Sequence, residues 1–249
     1  MDAERILDDL FARARDADEF EYASALLRVR GMEDFGWDPL EETTALFNDL
    51  ASLLEAPLND YARLRLGLLL YSHLTEVDAM YEMLANLVEI TGGERYTMDP
   101  FRDLCGPANR PRYAQNPPSA KRVVERLKDR SAARGSEELV ELLDWFFNDA
   151  VRNAFFHSDY ILYRDEFRSR EATFIDADGR RSSTLKIDGV VDLINRAIAV
   201  FQAFISVYER HRGSYREDKQ IRGRLGATGE EIDVTLLASE ERGLYGFRA

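Results

Sequence analysis

Arg152-Asn153-Ala154-Phe155-Phe156-His157 puts a guanidinium, a carboxamide and an imidazole into the otherwise apolar, aromatic run DAVRNAFFHSDYIL, residues 149–162. The chain has only three histidines, so one spent here draws notice. The three groups suit work on a phosphodiester. A guanidinium forks onto two phosphate oxygens and stays charged. An imidazole, with a reference pKa near ~6.5, takes or gives a proton at neutral pH. RNA brings its own nucleophile, the 2′-hydroxyl. One group to move protons and one to stabilise the charged transition state could therefore cleave it without a metal ion.

The surrounding residues predict a helix over 136–157. At ~100° per residue, Leu139, Leu143, Phe146, Phe147, Ala150, Val151, Ala154 and Phe155 fall on one side. Asn153 and His157, at i and i+4, share an edge of that apolar arc. Arg152 lies ~140° round from His157, on the other flank. On a straight helix the two cannot share a pocket within one chain. They meet if the helix ends or unwinds near Phe156, or if two copies face each other. Strand-like residues from Tyr160 onward favour an ending.

Other candidates are weaker. His73 and Glu76, one turn apart in LLLYSHLTEVDAMYEM, could reach toward the motif helix, or form a satisfied polar pair inside a helical core. Asp159 and Tyr160 flank the motif as supporting candidates. His211, in YERHRG, reads as a surface residue complementing a helix dipole. The lone Cys105 has no motif partner and permits no internal disulfide. DADGRR (176–181) opens like a calcium loop but lacks the glutamate at its twelfth position, so it reads as a turn. No clustered metal-ligand motif occurs, and no cofactor is expected.

These groups need a scaffold, and the remaining sequence is mostly helical. Apolar residues recur at three- and four-residue spacing through the first 92 residues. Asp38-Pro39 opens one helix, over 39–56. Asn59 or Asp60 opens another that reaches Gly92-Gly93, with a bend expected near Gly67. The stretch 97–118 holds five of the seven prolines and reads as a loop with a short helical piece. SAKRVVERLKDRSAARG predicts a basic helix. Residues 159–187 alternate and read as a β-hairpin. Residues 188–212 predict a helix from Asp188 to Gly213, and EIDVTLL and LYGFRA suggest short strands in the tail. The fold expected is mainly α. It is an antiparallel four-helix bundle of 39–56, 59–91, 136–157 and 188–212, with extra N-terminal helices, a β-hairpin before the last long helix and a short C-terminal extension. The whole chain, 1–249, reads as one domain, with a bundle core at 39–212, N-terminal helices at 1–38 and an extension at 213–249.

Composition bounds the partners. The net charge is −13, and it is uneven. Residues 1–100 carry 8 Lys and Arg against 22 Asp and Glu, whereas 101–249 carry 25 against 24. Such a balance argues against a general nucleic-acid coat. It leaves a local basic stretch, 102–134, with nine basic and three acidic residues, as an RNA-facing segment or a solvated helix face. The N-terminal residues lack the apolar core of a signal peptide, and the best uninterrupted apolar run, LGLLLYSHL, is too short to span a bilayer. A cytoplasmic location with no membrane partner is expected.

The motif has a relative. Arg152-Asn153-Ala154-Phe155-Phe156-His157, near a helix end in a helical chain, resembles the R-x4-6-H motif of the HEPN superfamily. The resemblance covers about 39–212. It implies a four-helix bundle that homodimerises and brings two motifs into one cleft, with Arg152 and His157 catalytic and Asn153 supporting. The implied activity is metal-independent endoribonuclease action on RNA, with a toxin or phage-defence role and an antitoxin or other protein partner. Some members are inactive, so a non-catalytic bundle binding a nucleotide, RNA or a protein stays open. So does a plain scaffold in which the three polar residues tie helices together. A catalytic His157 must be open to solvent, and a structural one enclosed.

Overall fold

The computed structural model describes residues 1–28, 38–105, 118–175, 181–225 and 230–248. Its helices are α1 (Ala3–Ala17), α2 (Glu19–Leu27), α3 (Pro39–Leu54), α4 (Asp60–Leu74), α5 (Asp78–Thr91), α6 (Ala120–Ala133), α7 (Glu137–Phe146), α8 (Asp149–Phe156) and α9 (Ile187–Gly213). A short 3₁₀ turn, Arg102–Leu104, precedes α6. The strands are β1 (Ile161–Tyr163), β2 (Glu166–Arg168), β3 (Phe174–Ile175), β4 (Arg181–Ser182), β5 (Thr184–Lys186), β6 (Lys219–Leu225), β7 (Glu230–Ser239) and β8 (Gly243–Arg248). The chain is thus mainly helical, with small antiparallel sheets.

Short polar side chains set the helix starts. Asp2, Asp18, Asp38, Asn59 and Asn148 each accept from backbone N–H groups two or three residues on. Such a cap is worth ~1 kcal/mol.

The expected helices at 39–56 and 188–212 form as α3 and α9. Two others are broken. The stretch 59–91 becomes α4 and α5, parted at residues 75–77. There the Thr75 hydroxyl donates to the Ser72 carbonyl, 3.1 Å away, competing with the helical ladder. Gly67 is not the break. It lies within α4, where a Cβ would sit 3.2 Å from Ile194, so the glycine serves close approach to α9. The stretch 136–157 becomes α7 and α8, parted at Phe147 and Asn148.

The sheets also differ from expectation. The residues read as one hairpin make two ladders, a three-stranded sheet β1–β2–β5 and a pair β3–β4. The tail, expected to hold only short strands, is a three-stranded meander β6–β7–β8 with a bulge at Leu237/Ala238. The turn read at DADG and most of the proline-rich loop lie outside the described residues.

The chain divides into two compact units interleaved in sequence. One comprises 38–78 and 141–201, hence α3, α4, most of α7, α8, β1–β5 and the first part of α9. Tyr71, Phe146, Val151, Phe167, Val190 and Phe201 are among its buried side chains. The other comprises 1–37, 79–140 and 202–249. By length and composition alone, α9 could cross a membrane. Asp192 and Arg196 interrupt its apolar sequence, which is why a search for unbroken runs passes over it. Val190, Ile194, Ala197 and Phe201 on α9 are buried, as on a core helix.

The second unit is tied by buried polar contacts. Glu21, 3% exposed, accepts from Arg95 Nε at 3.1 Å and the Tyr96 N–H at 2.9 Å. Gly223 on β6 lets Phe20 of α2 lie on the strand; a Cβ there would come within 2.7 Å of the ring. Three arginines of the basic stretch are paired with carboxylates here. Arg130 and Arg134 pair with Glu89, and Arg126 and Arg130 with Asp103.

His211 is not the surface residue its helix-end position suggested. Its side chain is 12% exposed, with Nε2 3.0 Å from Asp8 and Nδ1 2.6 Å from the Tyr22 hydroxyl. The carboxylate fixes the proton on Nε2, so the buried Tyr22 donates to Nδ1. Burial holds this imidazole below its ordinary pKa, against the pull of Asp8 and with help from Arg210 and Arg15. A histidine with a depressed folded-state pKa binds protons more readily when unfolded. Its stabilising contribution is present above the unfolded value of ~6.5 and is lost as pH falls below it. The expected outcome is a thermal midpoint that declines between pH 8 and pH 5. Scans of His211→Gln over the same range should decline less steeply; an identical decline would assign the effect to other groups.

Candidate functional site

The candidate residues sit in the unit of 38–78 and 141–201, and a buried tyrosine positions them. Tyr71, on α4, is fully buried. Its hydroxyl oxygen accepts the Asn148 N–H at 2.7 Å and lies 3.2 Å from the Phe146 carbonyl and 3.3 Å from that of Asn148. These are backbone groups that the interruption between α7 and α8 would leave bare. Burial pushes the phenol's pKa well above its usual value, keeping it a neutral donor and acceptor. Asn148 then caps α8, its Oδ1 accepting from the Val151 N–H at 3.1 Å.

Restarting the helix at Asp149 leads Arg152 to α4. Its guanidinium forms an ion pair with Glu76, and its Nη1 donates to Asn153 Oδ1. The guanidinium carbon also lies 5.3 Å from the centre of the Phe156 ring. The Arg152 side chain is 20% exposed, and its Nε is buried with no hydrogen-bond partner among the described residues. Burial lowers its pKa from the ordinary value, yet a guanidinium remains charged at neutral pH.

His157 occupies the C-terminal end of α8. Its N–H bonds to the Asn153 carbonyl at 2.9 Å. Beyond it, the Ser158 N–H bonds to Phe155 O at 3.0 Å and the Asp159 N–H to Ala154 O at 2.9 Å. That pair of bonds is the Schellman closure, with Ser158 in the left-handed position at φ 54°. The helix therefore ends where the sequence suggested. The His157 imidazole is exposed, with no hydrogen bond or ion pair among the described residues.

The site residues fall into three groups. Arg152, Asn153 and Glu76 are brought together. The His157 imidazole stands apart at the helix end, with no hydrogen bond to the Arg152 or Asn153 side chain. His73, one turn before Glu76, is half-buried; its Nε2 has no hydrogen-bond partner among the described residues, and burial lowers its pKa. Glu76 reaches the motif helix by an ion pair, while His73 makes no hydrogen bond to it.

Asp159 and Tyr160 are engaged in holding the loop. Asp159 accepts from the Ser169 hydroxyl at 2.6 Å and the Glu171 N–H at 2.9 Å, which keep its carboxyl below the usual range. Tyr160 stacks on Phe167, with centroids 5.3 Å apart and planes 10° from parallel, and touches Phe155 at 5.4 Å. Phe167 continues to Phe174 at 5.7 Å. This aromatic chain fixes the end of α8 to the β1–β2–β5 sheet. Among the described residues no group of three His, Cys, Asp or Glu side chains is placed to hold a metal ion.

Sequence reasoning placed Tyr71 beside His73 and Glu76 but gave it no role at the helix break. Its signal is faint, since a tyrosine on an apolar helix stripe usually reads as core. Asn148-Asp149 inside WFFNDAVRN is a faint local trace of the restart, since an Asn followed by an acid suits a helix start but fits the polar side of one continuous helix equally well.

Tyr71→Phe should lower stability by ~1–3 kcal/mol, read from the urea midpoint, because buried backbone groups lose their partner. An unchanged midpoint would show that the break does not depend on the hydroxyl. Ser158→Gly should raise stability by up to ~1 kcal/mol, since only glycine takes the left-handed position without cost. Comparison of the chain with family models, with curated proteins and with solved structures found no match.

Proposed function

We propose that this chain is a metal-independent endoribonuclease of the HEPN type, built on a four-helix bundle and acting as a homodimer, with a toxin or phage-defence role. One observation carries the reading: α8 ends at an exposed, unpaired His157, five residues beyond an Arg152 held in place by Glu76 and Asn153. A merely structural imidazole would be enclosed and hydrogen-bonded. In the proposed reaction the 2′-oxygen of RNA attacks the adjacent phosphorus as its proton passes to a base. The 5′-oxygen leaves with a proton, giving a 2′,3′-cyclic phosphate and a 5′-hydroxyl end. His157 serves the proton transfers, and Arg152 stabilises the charge on the phosphoryl oxygens. Two copies face to face would bring the His157 of one chain to the Arg152 of the other, since the two do not bond within one chain.

A second reading, a non-catalytic bundle that binds a nucleotide, RNA or a protein partner, draws support from the Arg152–Glu76 pair. A carboxylate already on the guanidinium competes with any phosphate.

The test is incubation of the purified protein with cellular RNA in the presence of a chelator. The wild type should produce cyclic-phosphate ends, while His157→Ala and Arg152→Ala, matched for folding by circular dichroism, should each lose activity by ~10²-fold or more. Cleavage surviving both substitutions would sink the assignment. No cleavage by the wild type would favour the second reading.

A further inference from the structure

The β1–β2–β5 sheet has one packed face and one open face, and the register states which residues lie on each. Leu162, Phe167 and Leu185 are paired across the strands and turn one way, with Phe167 fully buried. Ile161 opposite Arg168, Tyr163 opposite Glu166, Glu166 opposite Lys186 and Arg168 opposite Thr184 turn the other way. On that open face Ile161 is 65% exposed and Tyr163 is 47% exposed.

The exposed ring is flanked by cations. The Arg168 guanidinium lies 4.5 Å from the Tyr163 ring centre and that of Arg164 lies 5.2 Å from it. Arg164 takes the left-handed conformation, φ 55°, in the two-residue turn between β1 and β2, a position that costs a bulky residue ~1–2 kcal/mol. Its carbonyl accepts from the hydroxyl of Tyr61, another exposed ring. Arg164, Arg168 and Lys186 stand here with Asp165 and Glu166 in a chain of net charge −13, while Arg170 beside them is paired with Glu171 and lies 3.9 Å from Asp159. Arg168 pairs with Glu166, and Lys186 with Asp165, as surface ion pairs that an incoming anion can displace.

We propose that this open face is a docking platform for single-stranded RNA, with a base stacked on Tyr163 and the flanking phosphates held by Arg164, Arg168 and Lys186. An exposed aromatic ring with guanidinium groups over it, on an otherwise charged face, matches a strand whose bases are unstacked and whose backbone is anionic, a base taking the place of a guanidinium on the ring as that cation turns to a phosphate. A duplex hides its base faces and gains nothing from the ring. β1 begins four residues after His157, so a strand lying on the sheet leads to the end of α8. That the strand is RNA rests on the ribonuclease reading; the platform itself is read from the sheet.

The experiment uses the full chain carrying His157→Ala and a fluorescein-labelled ten-nucleotide oligouridine, followed by anisotropy. Binding should weaken about tenfold with Tyr163→Leu and persist with Tyr163→Phe, because one stacked base is lost only in the first. Arg164→Gly should leave the fold intact, relieve the turn and still weaken binding, with a shallower salt dependence. A duplex of equal length should bind more weakly than the oligouridine. The proposal is overturned if Tyr163→Leu and Arg164→Gly bind as the parent does, or if the parent does not bind the oligouridine. It is also overturned if the face proves to be covered by a second copy, seen as self-association that Tyr163→Leu abolishes without RNA binding. The two readings fail separately. Wild-type cleavage with a KM indifferent to Tyr163→Leu removes the platform alone, whereas Tyr163-dependent binding without wild-type cleavage removes the ribonuclease alone.

Discussion

A single phenol hydroxyl governs the geometry around the candidate site. Ending one helix and starting another in the interior leaves carbonyl and N–H groups without partners, and each bare buried group costs ~1–3 kcal/mol. Tyr71 answers both sides of the interruption at once, taking the Asn148 N–H and facing the Phe146 and Asn148 carbonyls. The break between α7 and α8 is therefore a specified feature. Because α8 begins afresh, its direction is set by its packing on α4 and no longer by the axis of α7.

Everything polar on α8 follows from that direction. Arg152 meets Glu76 beyond the end of α4, and Asn153 completes the hold on the guanidinium. At the other end, the Schellman closure at Ser158 stops the helix and releases His157 to solvent. The stack of Tyr160 on Phe167 and the Asp159–Ser169 bond then carry the chain into the β1–β2–β5 sheet. A fixed cation and a free imidazole thus result from two helix endings, one internal and one at the surface. Arg152 is held by two side chains, and His157 is open to solvent.

The other unit uses the same physics to a different end. Its buried polar groups, Glu21 with Arg95 and Tyr96, and Tyr22 with His211 and Asp8, are hydrogen-bonded to one another. They join segments far apart in sequence and act as ties. The contrast with the open imidazole of His157, and with His73, whose Nε2 lacks a partner among the described residues, is what separates structural from candidate functional histidines in this chain. All three histidines are polar residues on or at the end of helices; only their surroundings differ.

Local sequence determined much of this protein. Caps at Asp2, Asp18, Asp38 and Asn59, the apolar periods of α3 and α9, and the helical ending at His157 all depend on neighbours within a turn or two, so they are legible from the residues alone. The R-x4-H spacing was visible for the same reason. The breaks at 75–77 and 147–148 were not, because neither contains glycine or proline and the second depends on Tyr71, 77 residues before Asn148. Nor was the partner of Arg152: Asp149 and Asn148 lie nearer in sequence, yet Glu76 takes the guanidinium. The burial of His211 required Tyr22 and Asp8 to be brought to it from the other end of the chain. Tertiary structure decided these points because a side chain's charge, exposure and bonding belong to the space around it, and that space is filled by residues distant in sequence.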